Sequence, residues 1–108
     1  MKEYLIKTRR WLHMHPELSS NEEKTAAFIQ AELQAFGIPS HIVGTHSVIA
    51  DICGTKKHDK MKRTVALRAD IDALPVIEAN EVSYRSQNPG VMHACGHDTH
   101  TAMLLGAA

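Results

Sequence analysis

Cys95 and His97 are separated only by Gly96, and His93 and His100 flank them, so one thiol and three imidazoles crowd eight positions. A Cys-x-His pair lets a soft thiolate and an imidazole reach one metal ion from a tight turn, and the intervening glycine lets the backbone bend sharply. The turn immediately precedes an apolar run, Thr101 to Ala108, that reads as a helix. The dipole and free N–H groups at such a helix start favour a negatively charged donor. A second concentration, Asp70 and Asp72, follows the unbroken run Thr64-Val65-Ala66-Leu67. That run has the character of a strand buried on both faces, and open α/β sheets gather their ligands at the carboxyl ends of such strands. Only one of these carboxylates need face a metal. A carboxylate beside a metal-bound histidine accepts its second N–H and fixes the tautomer, which is the role expected of Asp72. Plainer readings stand beside these: a turn with exposed histidines and a buried cysteine, an Arg68–Asp70 surface pair, and a turn-forming Asp72.

Several elements must position these groups. Tyr4, Leu5, Trp11 and Leu12 recur at helical spacing among Lys7, Arg9 and Arg10, which predicts an amphipathic helix stopped before Pro16. His13 falls near the C-terminus of that helix, where the dipole favours a protonated imidazole, and His15-Pro16 is a turn dipeptide, so both histidines read as structural. Ser20 to Glu23 matches a capping box and predicts a second helix. Its buried stripe is Ala26, Ile29, Leu33 and Phe36, its wet face includes Glu22, and Gly37 ends it. Two β-rich runs, Ser40 to Val43 and Val48 to Ile52, suit a hairpin. A polar loop is expected from Gly54 to Lys60, and a long irregular stretch from Ala73 through Gly90. Asp98 or Thr99 is placed to cap the final helix, which is apolar nearly all round and so needs burial on several sides. Trp11 and the methionines read as packing residues, and Cys53 as a small buried hydrophobe.

Bulk composition narrows the classes. Lys and Arg equal Asp and Glu at twelve each, leaving no charge asymmetry to attract nucleic acid or an anionic membrane. Two cysteines are too few for a disulfide framework, and the charged start Met1 to Lys7 has no apolar signal core, so a reducing cytoplasm is expected. No window approaches the ~18 consecutive apolar residues of a spanning helix.

Three blocks, Arg9 to Ser19, Thr64 to Pro75 and Met92 to Ala108, resemble the M20 metallopeptidase family in its N-acyl-amino-acid amidohydrolase branch, which includes hippurate hydrolases, auxin-conjugate hydrolases and N-acetyldiaminopimelate deacetylases. The resemblance implies an α/β fold, with residues 1–108 as the N-terminal portion of a mixed-sheet, helix-flanked catalytic domain. It implies two divalent metal ions (manganese, zinc, cobalt or nickel), a small N-acyl amino acid substrate and a homodimer formed through an inserted domain. Carried over by position, Cys95 and His97 are metal ligands and Asp72 supports the metal-bound histidine; His93 and His100 are not ligands, and Asp98 is left as a helix cap. The reaction implied is amide hydrolysis by metal-activated water with a glutamate as general base. Family chains are several times longer, so that glutamate, the other ligands and the inserted domain are expected beyond Ala108. Two other classes remain open: a metal-binding or interaction fragment, and a small structural zinc module with four ligands in this chain.

Overall fold

The computed structural model describes residues 1–55 and 63–108. The expected Gly54–Lys60 loop therefore lies largely outside the described residues. In chain order the elements are α1 (Lys2–Met14), α2 (Glu23–Ala35), β1 (Ser40–Val43), β2 (Ser47–Ala50) and α3 (His97–Ala107). The architecture is α/β: an antiparallel hairpin pairing Ser40 with Ala50 and Val43 with Ser47, and three helices packed around a small core. No helix among the described residues is long and apolar enough to cross a membrane.

Helix α1 ends where Pro16 requires, with the His15 amide bonding back to the Trp11 and Leu12 carbonyls. Its Trp11 ring stacks on Phe28 of α2 at 3.8 Å between centroids and on His15 at 4.4 Å. Helix α2 begins differently from the capping-box expectation. Ser20 sits at φ 69° without a capping hydrogen bond, and the Glu17 carboxylate takes over. It accepts from the Lys24 amide (3.2 Å), the Thr25 amide (2.7 Å) and the Thr25 hydroxyl (2.8 Å). The turn after Pro16 brings Glu17 back over the helix start, so a more remote carboxylate satisfies the free N–H groups that Ser20 was expected to meet.

Ile29 and Leu33 of α2 and Leu105 of α3 form the core, with Tyr4, Phe28, Ile38, Val48, Ala50 and Ile71 packed against it. Two positions on α2 depart from the periodic pattern. Phe36 is 48 % exposed, touching Tyr4 edge-on, and Glu22, expected on the wet face, is buried. Both lie at helix ends, where the chain leaves the regular stripe. Helix α3 meets α1 closely at Gly106, where a β-carbon would run into the Leu5 side chain. That approach covers part of the all-round apolar surface of α3.

The strand expected at Thr64–Leu67 is not formed. Val65 and Leu67 are 81 % and 69 % exposed, and the run has no ladder partner among the described residues. A both-faces-buried strand needs neighbours on two edges and layers on two faces, and residues 1–55 and 63–108 supply neither. Cys53, expected buried, is exposed, because β2 closes at Ala50 and the chain leaves the sheet before reaching it.

Candidate functional site

Backbone pairing brings the acidic segment and the Cys–His turn together. Leu74 and Met92 exchange two amide-to-carbonyl hydrogen bonds, each 3.0 Å, and the Ala73 amide donates to the Glu17 carbonyl at 2.7 Å. Residues 70–74 are thus pinned between the loop after α1 and the segment leading into the turn. The Thr101 hydroxyl of α3 closes the arrangement by donating to the Asp70 carbonyl at 3.1 Å.

Within this frame the two aspartates diverge. Asp70 pairs with Arg68 at 2.6 Å on the exposed surface, the plainer of its two sequence readings. Asp72 turns toward the turn: its Oδ1 lies 2.9 Å and its carbonyl oxygen 3.0 Å from His97 Nδ1. A hydrogen on Nδ1 shared between these two acceptors leaves Nε2 with its lone pair free. Gly96, at φ 87° and ψ 20°, occupies the left-handed position at the N-cap of α3, which the chirality of other residues disfavours. The Cys95 thiol is exposed beside it. A free thiol and an imidazole with one nitrogen oriented by a carboxylate are the donor chemistry of one side of a metal site. Among the described residues, no group of three or more His, Cys, Asp or Glu side chains is placed to hold an ion, which leaves a four-ligand zinc module without support there.

Asp98 is not the cap of α3. Gly96 holds that position without a side-chain bond, and Asp98 lies one residue inside the helix, fully buried. Its Oδ2 receives Arg9 Nε at 2.8 Å and His13 Nδ1 at 2.7 Å, and its Oδ1 accepts from the Thr99 amide at 2.9 Å. The other nitrogen of His13, Nε2, lies 2.9 Å from the buried carboxylate of Glu78. With a carboxylate oxygen at each nitrogen, the His13 ring donates from both. The 3.3 Å approach of Arg9 Nη2 to His13 Nδ1 is therefore between two donors that share Asp98, and is not itself a bond. His13 is structural, as its sequence position suggests, but its partners are interior carboxylates and not only a helix terminus. Glu78 was not singled out by the sequence, since an acid in an irregular stretch carries no periodicity.

Burial by itself pushes the Glu78 carboxyl up, but the Ser86 amide (2.5 Å), the His13 imidazole and the Asn80 amide (3.3 Å) together hold it below the usual range. A depressed folded value means stability that is present above the unfolded value, about 4.3, and is lost as pH falls through the folded value. Glu78→Gln is expected to be less stable at neutral pH and to show a shallower loss of stability below about pH 4. Urea denaturation at pH 7 and pH 3 checks this, and parallel pH profiles for both proteins would exclude it. The groups facing Glu78 are His13 on α1 and the amides of Asn80 and Ser86; Arg85 reaches its carbonyl at 2.9 Å.

His93 lies deep beside this cluster, 4 % exposed. Among the described residues neither ring nitrogen has a hydrogen-bond partner of proper geometry, although the Asp72 main chain lies near enough to favour the charged ring. Burial outweighs that contact and the attraction of Asp98 and holds the imidazole below its usual range, toward the neutral form. An open hollow runs past these groups, with Arg9, His13, Glu78, Tyr84, His93 and Cys95 along its wall.

Residues 66–108, which include Asp72 and the Cys–His turn, match the model of Peptidase family M20/M25/M40. The chain is 50 % identical over all 108 residues to an N-acyl-L-amino acid amidohydrolase of Geobacillus stearothermophilus, covering 28 % of that protein. It is also 50 % identical over 103 residues, 95 % of its length, to an uncharacterized hydrolase of Staphylococcus aureus, covering 26 % of it. It superimposes with a TM-score of 0.88 and 41 % identity on the YXEP protein of Bacillus subtilis, a dinuclear metal binding peptidase from the M20 family, with 98 % of this chain and 30 % of that one covered. The chain thus spans little more than a quarter of the length of the curated relatives it matches. The family match spans the His97–Asp72 contact, and the likeness in sequence and in fold extends along nearly the whole chain, so this chain is similar to peptidase family M20/M25/M40.

Proposed function

We propose that residues 1–108 are the N-terminal portion of the catalytic domain of a metal-dependent amidohydrolase that cleaves N-acyl amino acids. The observation that carries this reading is the 2.9 Å contact of Asp72 with His97 Nδ1, which leaves Nε2 available two residues along the chain from the exposed Cys95. Cys95 and His97 would hold the metal, and Asp72 would orient His97. The donor set, one thiol and one imidazole with a supporting carboxylate, suits zinc, cobalt or nickel better than manganese among the metals the family resemblance implies. What a divalent ion supplies when bound is Lewis acidity toward an amide carbonyl and water. This chain contributes orientation: Asp72 fixes the His97 ring and tautomer, the Gly96 turn links Cys95 to His97, and the hollow along Cys95 is open to a small substrate.

The general base and the remaining ligands are not assigned to any residue of this chain. In the complete enzyme we place them in the portion of the relatives that these residues do not span, together with a dimerisation domain. Such an enzyme would work in the cytoplasm, where Cys53 and Cys95, both unpaired, stay reduced. To test the reading, the chain is joined to the remaining part of the Geobacillus amidohydrolase and assayed on N-acetyl, N-benzoyl and indole-acetyl amino acids. The expected result is metal-dependent release of the free amino acid, lost in His97→Ala. Hydrolysis that survives both chelation and His97→Ala would overturn the assignment.

A further inference from the structure

We propose that the buried cluster of Arg9, Asp98, His13 and Glu78 is the positioning device of the Cys95–Gly96–His97 turn, holding its two donors in place from α1 and the 78–86 loop. The inference rests on the reading of Cys95 and His97 as metal donors and extends it to residues that touch neither metal nor substrate. Asp98 directly follows His97, and it is the residue in the first turn of α3 whose side chain is tied to another element by charged groups. His13 lies 85 residues from Asp98 and 65 residues from Glu78 along the chain, so the three side chains join α1, the irregular 74–92 stretch and α3 at one point.

The chemistry of the cluster suits a fixed anchor. Two donors converge on Asp98 Oδ2 at 2.7 and 2.8 Å, and Glu78 is itself held by the Ser86 amide and Asn80. Arg9 and Arg10 also lie over the Tyr84 ring, 5.2 and 4.8 Å from its centroid, which fastens the loop to α1 a second time. Without this anchor the side chains of the turn itself would be held only through the His97–Asp72 contact, because its residues are exposed or half-buried and Gly96 leaves the backbone free to rotate. A metal held by ligands on a mobile turn binds more weakly, because binding must then order the turn. Residues that orient ligands in this way are worth about 10- to 100-fold in metal affinity.

The test is a Co2+ titration of the full 108-residue chain, followed through the thiolate-to-cobalt absorption band and the visible ligand-field bands. Wild type should bind Co2+ with a thiolate band that Cys95→Ser removes and His97→Ala weakens. Absence of that band in wild type would overturn the donor reading and this inference with it. Given the band, His13→Gln and Glu78→Gln, each measured where circular dichroism shows it folded, are expected to weaken Co2+ binding by about 10- to 100-fold and to alter the ligand-field spectrum. A lowered unfolding midpoint with wild-type affinity and spectrum would overturn the positioning role while leaving Cys95 and His97 as donors. If His13→Gln does not fold, Glu78→Gln decides the matter alone, since the carboxamide keeps the shape of the acid.

Discussion

Alanine in place of Asp98 is expected to cost about 3–5 kcal/mol of folding stability, the range for removing one partner of a buried ion pair. The carboxylate is fully buried, and its loss strands the donors on His13 and Arg9 unequally. Arg9 has a third of its side chain exposed and can turn to solvent, whereas the His13 side chain, 3 % exposed, cannot. His13 keeps Glu78 on its Nε2 but is left with an unsatisfied Nδ1 donor in the interior, and that desolvation is the main penalty. Small domains have a total stability of about 5–15 kcal/mol, so this single change removes a large share of it. Asp98→Asn, which keeps the volume and one acceptor, is expected to lose less. Arg68→Ala breaks the exposed pair with Asp70 and should change stability by no more than about 0.5 kcal/mol. Urea unfolding of the three variants, at a pH where the wild type is most stable, ranks them. If Asp98→Ala proves no worse than Arg68→Ala, the cluster contributes nothing of the kind described.

What the sequence reveals about this chain follows the range of the interactions. The stripe Ala26, Ile29 and Leu33 is legible because a helix repeats its buried face every three to four residues, and all three are buried as expected. The hairpin and the stop at Pro16 are local signals of the same kind, whereas the last helix starts at His97, before the Asp98 or Thr99 cap that was expected. The Asp72–His97 contact is legible for a different reason: both residue types and their places at element ends suggested the same chemistry. The buried cluster was not legible, because nothing near Asp98 marks it as a partner of His13, and a short acid at a helix start reads first as a cap. Thr64–Leu67 fails in the opposite sense. Its residues have strand character, but a strand exists only with neighbours, and the described residues supply none. Glu17 shows the same dependence on distance, since only the folded turn after Pro16 carries its carboxylate to the Thr25 amide.

Asp72→Asn is expected to weaken metal binding by about 10- to 100-fold while leaving the fold nearly as stable as wild type. The side chains of Asp72 and His97 are 28 % and 22 % exposed, so the pair is well short of fully buried and its loss strands no charge deep in the core. Its value lies in orientation. An ionised carboxylate at 2.9 Å accepts the Nδ1 hydrogen strongly and makes Nε2 the better donor to a metal; a neutral amide accepts it weakly and can turn its own N–H groups toward the ring instead. The backbone carbonyl of Asp72, 3.0 Å from the same nitrogen, survives the substitution, which is why a graded loss and not abolition is expected. His97→Ala removes the donor itself and should exceed the upper end of that range, about 100-fold. Calorimetric titration with Zn2+ and Mn2+, paired with urea unfolding of the metal-free proteins, separates affinity from stability. Equal losses in both would make Asp72 a general support of the fold, and no loss of affinity in either variant would remove His97 from the metal site altogether.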